Sequence, residues 1–280
     1  MIGTLIARDL GVFIRSRASV IFALSPVVLC VGFLVFFRQQ TITLISDVIT
    51  GPSAYAATDA WIFASVAVLS GFSSSTSVLI GFLEDRRSSR FSLQLASSVK
   101  PGQLVAGYLL SSVIVSIVVS LVISGFGQVY ALLVRQPVMS INEWLTVIVA
   151  VVLSSVMFTG VTAIAMRFVG SQGALGAYCL IMGTVVGIVS FSYVLPSSDV
   201  TVIAGCLPFL QAATLVRHPM LTPVLNGLDA GSATQVLEAL GASVHLGAVW
   251  SQPLTIAVLA LWSVIVLVVG SLLLTQCLKD

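Results

Sequence analysis

Residues 82–107 read FLEDRRSSRFSLQLASSVKPGQLVAG, and this charged stretch decides how the chain is arranged. It separates two long apolar runs that carry almost no charge, and its charged residues are Glu84, Asp85, Arg86, Arg87, Arg90 and Lys100. Phe91, Leu93 and Leu95 are interleaved with polar residues. In water these apolar side chains would stay exposed, and in lipid the neighbouring charges would have no partners. We therefore expect an exposed loop between two membrane helices that docks on a soluble partner.

The composition of the whole chain is that of an integral membrane protein. Hydrophobic residues make up 58% and charged residues 8%, whereas soluble domains carry about 25% charged residues. The formal net charge of +2 is too small to indicate a nucleic-acid partner. Four cysteines lie in different segments without C-x-x-C spacing, which favours neither a disulfide framework nor a metal site.

The fold class predicted from the apolar runs is an all-α polytopic membrane protein with six transmembrane helices. A helix needs about 20 apolar residues to cross a bilayer. Six windows reach that length: Ala18–Phe37, Ala60–Leu83, Leu104–Val134, Leu145–Phe168, Ala174–Leu195 and Leu254–Cys277. The first is too long for a cleavable signal, and Phe-Phe-Arg-Gln-Gln follows it instead of a small-residue cleavage site. We treat residues 1–280 as one transmembrane domain.

The distribution of basic residues predicts that both termini are cytoplasmic. Six spans place the termini and residues 84–103 on one side, together with Arg8, Arg15, Arg17, Arg86, Arg87, Arg90, Lys100, Arg167 and Lys279. The other side holds Arg38, Arg135 and Arg217. Cytoplasmic loops carry the excess of Lys and Arg, so the charged loop is expected in the cytoplasm.

The first 17 residues predict an amphipathic helix on the membrane surface. One helical face carries Ile2, Leu5, Ile6, Leu10, Phe13 and Ile14. Arg8, Arg15 and Arg17 are expected to reach the anionic headgroups. The alternative is that the first span simply begins earlier, which the four charges between residues 8 and 17 make less favourable.

Two other spans carry small residues suited to helix contacts. The second contains Ser73, Ser74, Ser75, Thr76 and Ser77, and consecutive hydroxyls on a helix cannot all face one way. Most are expected to pack against neighbouring helices, and some are candidates for lining a substrate path. In the fifth span, Gly183 and Gly187 have the small-x-x-x-small spacing that permits close approach of another helix.

Residues 196–253 form an outer region that is too apolar for an ordinary loop. Thr201–Val216 contains Pro208 and is short for a crossing, so it predicts a re-entrant or interfacial segment. Ser232-Ala-Thr-Gln235 matches a capping box, and Gly241 is expected to end the short helix that follows. These two segments are expected to form a small outer lid.

Several kinds of chemistry are missing from the sequence. The six span windows contain no acid, base or histidine away from their ends, which counts against an ion-coupled carrier. His218 and His245 both fall in the outer region, so an intramembrane serine protease would lack its base. The sequence contains no G-x-x-x-x-G-K-[ST] loop, so the chain is expected to bind no ATP itself. We also expect no catalytic and no metal-binding residues.

From Glu84 to Tyr108 the sequence EDRRSSRFSLQLASSVKPGQLVAGY resembles the cytoplasmic loop of ABC-2 type permeases, particularly the membrane subunits of daunorubicin-type multidrug exporters. Residues 207–217, LPFLQAATLVR, are similar to the family's Pro-containing run that ends in Arg. The order of elements is similar across nearly the whole chain. The resemblance implies that the loop is a coupling helix seated in a groove of a separate ATPase. The implied contact residues are Glu84, Asp85, Arg86, Arg87, Arg90, Phe91, Leu93, Leu95 and Lys100.

The resemblance implies a permease subunit of an ATP-driven exporter in a bacterial inner or plasma membrane. Two permease subunits, alike or different, would work with two ATPase subunits that bind the ATP and Mg²⁺. The substrate would be hydrophobic or amphipathic, such as a drug, a lipid-linked glycan or a peptide, and the process would be efflux. The alternatives are a membrane assembly or immunity protein that transports nothing, and an ion-coupled secondary carrier.

Overall fold

The computed structural model describes residues 2–87, 100–169, 171–191, 208–243 and 251–278. Within these ranges the chain forms ten helices and no strand. They are α1 (Ile2–Arg15), α2 (Arg17–Phe36), α3 (Arg38–Ile45), α4 (Pro52–Arg87), α5 (Pro101–Leu133), α6 (Ile141–Phe168), α7 (Gln172–Phe191), α8 (Pro208–Leu225), α9 (Ala230–Ala239) and α10 (Gln252–Cys277).

Five of the described helices are long and apolar enough to cross a membrane. The stretches that qualify are Pro52–Arg86, Pro101–Leu133, Ile141–Phe168, Gly173–Phe191 and Gln252–Cys277. The protein is therefore a multi-pass helical membrane protein. Helix α2 coincides with the first predicted window but is not one of these five, so a sixth span stays a prediction.

Helix α4 begins earlier and ends later than the predicted second span. It has 36 residues and so is about 54 Å long, well beyond the roughly 30 Å of a hydrocarbon core. Pro52 stands at its first position, where a missing N–H costs nothing, and Gly51 before it has a positive φ of 67°. Residues 38–59, between the first two predicted windows, are not a simple loop, because they contain α3 and the first two turns of α4.

Helix α4 is the centre of the bundle. It packs against α2, α5, α6, α7 and α8. In its most apolar stretch 89% of residues are buried, compared with 11% for α7. Its large side chains Trp61, Phe72 and Phe82 are fully or almost fully buried and mark three successive levels of the core.

Helix α1, the end of α10 and the two helix ends that flank the charged loop lie at the same end of the bundle. Helix α1 contacts the start of α5, and Leu278 packs against a cluster that contains Leu83 and Leu104. We call this the loop end, because residues 88–99 connect α4 to α5 there. The opposite end carries Arg38 and Asp59, which form an ion pair, and we call it the Arg38 end.

Helix α8 lies inside the bundle rather than over it. Phe209 stacks on Phe158 in the second half of α6, with ring centres 6.1 Å apart, and the helix runs from there to the Arg38 end. Most of its side chains are buried, and it continues through Pro219 to Leu225, beyond the predicted limit at Val216. The expected lid is therefore wrong for residues 208–216 of the predicted segment Thr201–Val216, whose first part (residues 201–207) lies outside the described residues.

Helix α9 is capped one turn earlier than predicted. Asp229, rather than Ser232, is its N-cap, and an Asp229 carboxylate oxygen accepts a hydrogen bond from the Ser232 N–H at 3.0 Å. Asp229 precedes the first helical residue directly, so its carboxylate reaches the free N–H groups of the first turn. The predicted end is confirmed, because Gly241 has a φ of 59° just beyond the helix.

The closest helix contact involves glycines other than the predicted pair. A Cβ on Gly160 of α6 would lie 2.6 Å from the backbone nitrogen of Leu267 in α10. Reciprocally, a Cβ on Gly270 would lie 2.9 Å from the Gly160 carbonyl oxygen. Gly183 and Gly187 have nothing within 4 Å of the same position, so within the described chain they mediate no close approach.

Candidate functional site at the loop end

Three helices are joined at the loop end by Arg8, Asp85 and Tyr108. The Arg8 guanidinium donates to the Tyr108 hydroxyl at 2.8 Å, and that hydroxyl donates to the Asp85 carboxylate at 2.5 Å. Arg8 also lies 3.7 Å from the same carboxylate and 5.5 Å from the centre of the Tyr108 ring. The ring meets Phe82 edge to face at 5.3 Å. Helix α1 is thus attached to both helices that carry the charged loop.

The structure describes part of the predicted docking loop. Glu84 is exposed, and Asp85 and Arg86 are half-buried at the end of α4. Lys100 is exposed, and its N–H donates to the Gln103 side chain at 3.3 Å, which caps α5. Outside the described residues lie Arg90, Phe91, Leu93 and Leu95, and with them the side chain of Arg87. Their docking role stays a prediction.

The predicted surface arginines separate into two groups. Arg15 and Arg17 are exposed, as a membrane-surface role requires. Arg8 is half-buried against Tyr108 instead of pointing away from the bundle. No pattern in the sequence indicates this contact, because Arg8 and Tyr108 are 100 residues apart.

A ladder of serine hydroxyls fixes α5 against α4. Ser112 donates to the Ser75 carbonyl at 3.0 Å, Ser116 to the Gly71 carbonyl at 2.8 Å, and Ser120 to the Ala67 carbonyl at 3.0 Å. Each step moves four residues up one helix and four down the other, which is one turn of an antiparallel pair. The spacing of these serines is visible in the sequence and is the signal that could have predicted this face of α5.

The ladder continues into α6 and α7. Ser112 lies 3.0 Å from the Thr159 hydroxyl, and Ser116 lies 2.9 Å from that of Ser155. Thr162 lies 3.3 Å from the Thr76 hydroxyl and accepts a hydrogen bond from Tyr178 of α7 at 3.0 Å. Interhelical hydrogen bonds of this kind each contribute about 0.6 kcal/mol in membrane proteins. Hydroxyl groups therefore connect four of the described spans: α4, α5, α6 and α7.

The five consecutive hydroxyl residues of α4 are all buried, with exposures from 0% to 7%. Ser75 donates to the Phe72 carbonyl of its own helix, and Thr76 takes part in the contact with α6. The Ser74 hydroxyl is buried without a hydrogen-bond partner among the described residues. Packing accounts for Ser75 and Thr76, and a substrate path along Ser73–Ser77 stays a prediction.

Arg217, counted among the outer basic residues in the sequence, is fully buried. It donates to the Gly241 carbonyl at 2.9 Å, to the Val189 carbonyl at 3.1 Å and to the Ser190 carbonyl. Its guanidinium lies 5.7 Å from the centre of the Trp61 ring. This side chain connects α8 to α4, to the end of α7 and to Gly241, two residues beyond α9. The sequence feature that could have indicated this buried contact is the arginine at the end of the otherwise apolar run 207–217.

The expectation that no acid lies inside a span is wrong, because Asp59 lies within a spanning helix. It is in the second turn of α4, within a qualifying stretch, and is 1% exposed. Arg38 donates to both of its carboxylate oxygens, at 2.7 and 2.6 Å, and Gln136 donates to one of them at 2.8 Å. Burial alone would lower the pKa of Arg38, but the hydrogen bonds and charge of Asp59 outweigh it and raise that pKa. The carboxylate is thus held as a structural ion pair.

A second polar cluster lines a cavity of about 290 Å³ between α8, α9 and α10. It contains His218 and Glu238, and Nε2 of Gln252 lies 2.5 Å from Nδ1 of His218. Burial lowers the pKa of His218, so the imidazole is neutral at pH 7. His218 lies in α8, which is not one of the five qualifying helices, and its position on the outer side stays a prediction.

In comparisons with known proteins, no family model and no curated protein matches this chain. The likeness to ABC-2 type permeases therefore depends on the residues quoted above.

Proposed function

We propose that this chain is the membrane-spanning permease subunit of an ATP-driven exporter, powered by a separate ATPase that docks on residues 84–103. The observation that supports this most is the Arg8, Asp85 and Tyr108 cluster. It attaches α1 to the two helices flanking the loop, so a displacement of the loop would move three helices together.

The serine ladder provides a path for that movement into the bundle. Three successive hydrogen bonds make α4 and α5 a stiff antiparallel pair, and α4 contacts α2, α6, α7 and α8. A force on the loop would therefore tilt the pair as one body instead of bending one helix. Opening between this pair and its neighbours would expose the Ser73–Ser77 stretch, where the Ser74 hydroxyl is available to a substrate.

The second permease subunit would pack against α7 in this proposal. This helix is the least buried of the qualifying five, and Leu180, Ile181 and Ile188 are all more than 60% exposed. Gly183 and Gly187 leave open space beside its backbone, which another helix can approach closely. With a sixth span at α2, both termini would be cytoplasmic in a bacterial inner or plasma membrane.

The test separates docking of the ATPase from coupling to it. Truncating an aromatic anchor in a packed interface commonly costs about 2 kcal/mol or more, roughly thirtyfold in affinity. Phe91→Ala with Leu95→Ala should therefore release a co-expressed ATPase from the purified membrane complex. Tyr108→Phe should retain the ATPase but reduce substrate-stimulated hydrolysis, because the hydroxyl joining Arg8 to Asp85 is lost.

Matched controls distinguish this from general damage. Leu132→Ala with Leu133→Ala truncates exposed apolar side chains at the Arg38 end and should leave the ATPase bound. Arg86→Ala with Arg87→Ala should weaken binding less at physiological salt, where exposed charges are screened beyond about 8 Å. Full ATPase retention and full transport in the Phe91/Leu95 variant would refute the docking loop. ATP hydrolysis by the isolated chain would refute the partner assignment.

Asp59 is the observation that favours the second candidate, an ion-coupled carrier. A buried carboxylate inside a spanning helix is the group such carriers need. Its ion pair with Arg38 and the hydrogen bond from Gln136 make it a structural residue in the observed state. Transport that continues after ATP depletion and stops on collapse of the proton gradient would favour the carrier over the exporter.

A further inference from the structure

An open cavity of about 550 Å³ lies at the Arg38 end, where the start of α4 meets the ends of α5 and α8. Two arginines line it, together with polar and small residues from three helix ends: Arg38, Arg135, Tyr55, Ser53, Gln136 and Gly227. None of these residues belongs to the loop end or to the serine ladder. The cavity is therefore a separate feature of the protein.

The charges around this cavity favour an anion. Asp59 neutralises one of the two guanidinium groups, binding Nε and Nη2 of Arg38 and leaving its Nη1 for another partner. The Arg135 side chain is exposed and makes no hydrogen bond or ion pair with a described residue. The first turn of the 36-residue helix α4 also lines the cavity, and it adds the partial positive charge of a helix N-terminus.

The backbone of Arg135 gives an independent reason to assign its side chain a role. Gln136 N–H donates to the Ala131 carbonyl at 2.8 Å and Arg135 N–H to the Leu132 carbonyl at 3.2 Å, which is the pattern of a Schellman motif. Glycine usually occupies the left-handed position of this motif, but here Arg135 has a φ of 58°. A side chain retained in a strained backbone conformation points to a function for that side chain.

The surroundings of the cavity are apolar and exposed, which favours a membrane amphiphile over a soluble anion. Tyr55 and Val134 line the cavity and are 40% and 44% exposed, and the neighbouring Leu133 is 78% exposed. These residues lie at the ends of qualifying spans, where arginine side chains reach lipid headgroups.

We propose that this cavity binds the phosphodiester headgroup of an anionic membrane phospholipid, with Arg135 as the principal contact and Arg38 Nη1 as the second. The acyl chains would lie along the exposed end of α5. In the proposed topology the site faces the outer leaflet.

The experiment uses native mass spectrometry of the full-length protein in micelles containing phosphatidylglycerol or phosphatidylcholine. The wild-type protein should retain phosphatidylglycerol in preference to phosphatidylcholine. Arg135→Gly removes the guanidinium and relieves the left-handed backbone strain, so loss of lipid in this variant cannot be ascribed to misfolding. We expect about fivefold weaker retention, the equivalent of about 1 kcal/mol for one exposed charge contact.

Two further variants and one competitor complete the test. Arg135→Lys should keep most of the retention, because a lysine also binds phosphate as a point charge. Lys100→Gln, which removes one exposed positive charge at the loop end, should change it by less than about twofold. Equal retention by the wild-type protein and Arg135→Gly would overturn the proposal. Displacement of phosphatidylglycerol by millimolar inorganic phosphate would overturn the assignment to a lipid.

Discussion

The substitution Gly160→Ala tests the closest approach between two helices at any described glycine. A Cβ on this residue would lie 2.6 Å from the Leu267 nitrogen, 2.7 Å from the Val266 carbonyl carbon and 2.8 Å from a Val266 methyl group. Two of these atoms belong to the backbone of α10, so rotating a side chain cannot relieve the overlap. Helix α10 must move away from α6 by about 1 Å to restore an ordinary carbon contact.

The expected cost follows from two opposing terms. Forcing an extra methyl group into a packed contact costs about 1–3 kcal/mol. Replacing glycine by alanine in a helix contributes about 0.5–1 kcal/mol in the other direction. We therefore expect Gly160→Ala to lower the free energy of unfolding by up to about 2.5 kcal/mol. Because α6 and α10 form the most extensive helix pair, the loss should affect the whole bundle.

The measurement is reversible unfolding of the purified protein in mixed micelles of increasing SDS content, followed by tryptophan fluorescence. Gly125→Ala is the matched control, because it lies in α5 with nothing within 4 Å of the added Cβ. That variant should be as stable as the wild-type protein or up to about 1 kcal/mol more stable. Equal stability of the two variants would refute the packing of α6 against α10 described here.

Two further predictions concern buried polar side chains at the Arg38 end. Arg217→Met should destabilise the protein by about 2–4 kcal/mol in the same assay, because buried carbonyl acceptors of Val189, Ser190 and Gly241 lose their donor; unchanged stability would contradict this role. The wild-type protein should lose stability as the pH falls below about 6.5, because burial lowers the pKa of His218 and the unfolded chain takes up the proton first. His218→Gln should show a smaller loss between pH 7 and pH 5, and equal losses in the two proteins would refute it.

The sequence by itself determined the fold class and the positions of most helices. Long apolar runs interrupted by charges fix where a chain can cross a bilayer, and five of the predicted windows correspond to qualifying helices of the structure. The charged stretch at residues 84–103 was also evident as a connection between two spans, because charges are costly inside the apolar part of a membrane. The predicted helix limits were less exact. Helix α4 begins at Pro52 rather than Ala60, and α8 ends at Leu225 rather than Val216. A helix can continue through polar residues at its end when neighbouring elements cover them.

Only the tertiary structure decided which faces of the helices meet. In a membrane, a side chain that contacts lipid and one that contacts protein are both apolar, so the pattern of hydrophobicity does not reveal the buried face. Gly160 was indistinguishable from Gly183 by composition, yet one contacts a backbone and the other faces open space. The contacts of Arg8 with Tyr108 and of Arg217 with three carbonyls depend on long-range placement. Polar groups must find partners inside the bundle, and the fold determines which partners they find.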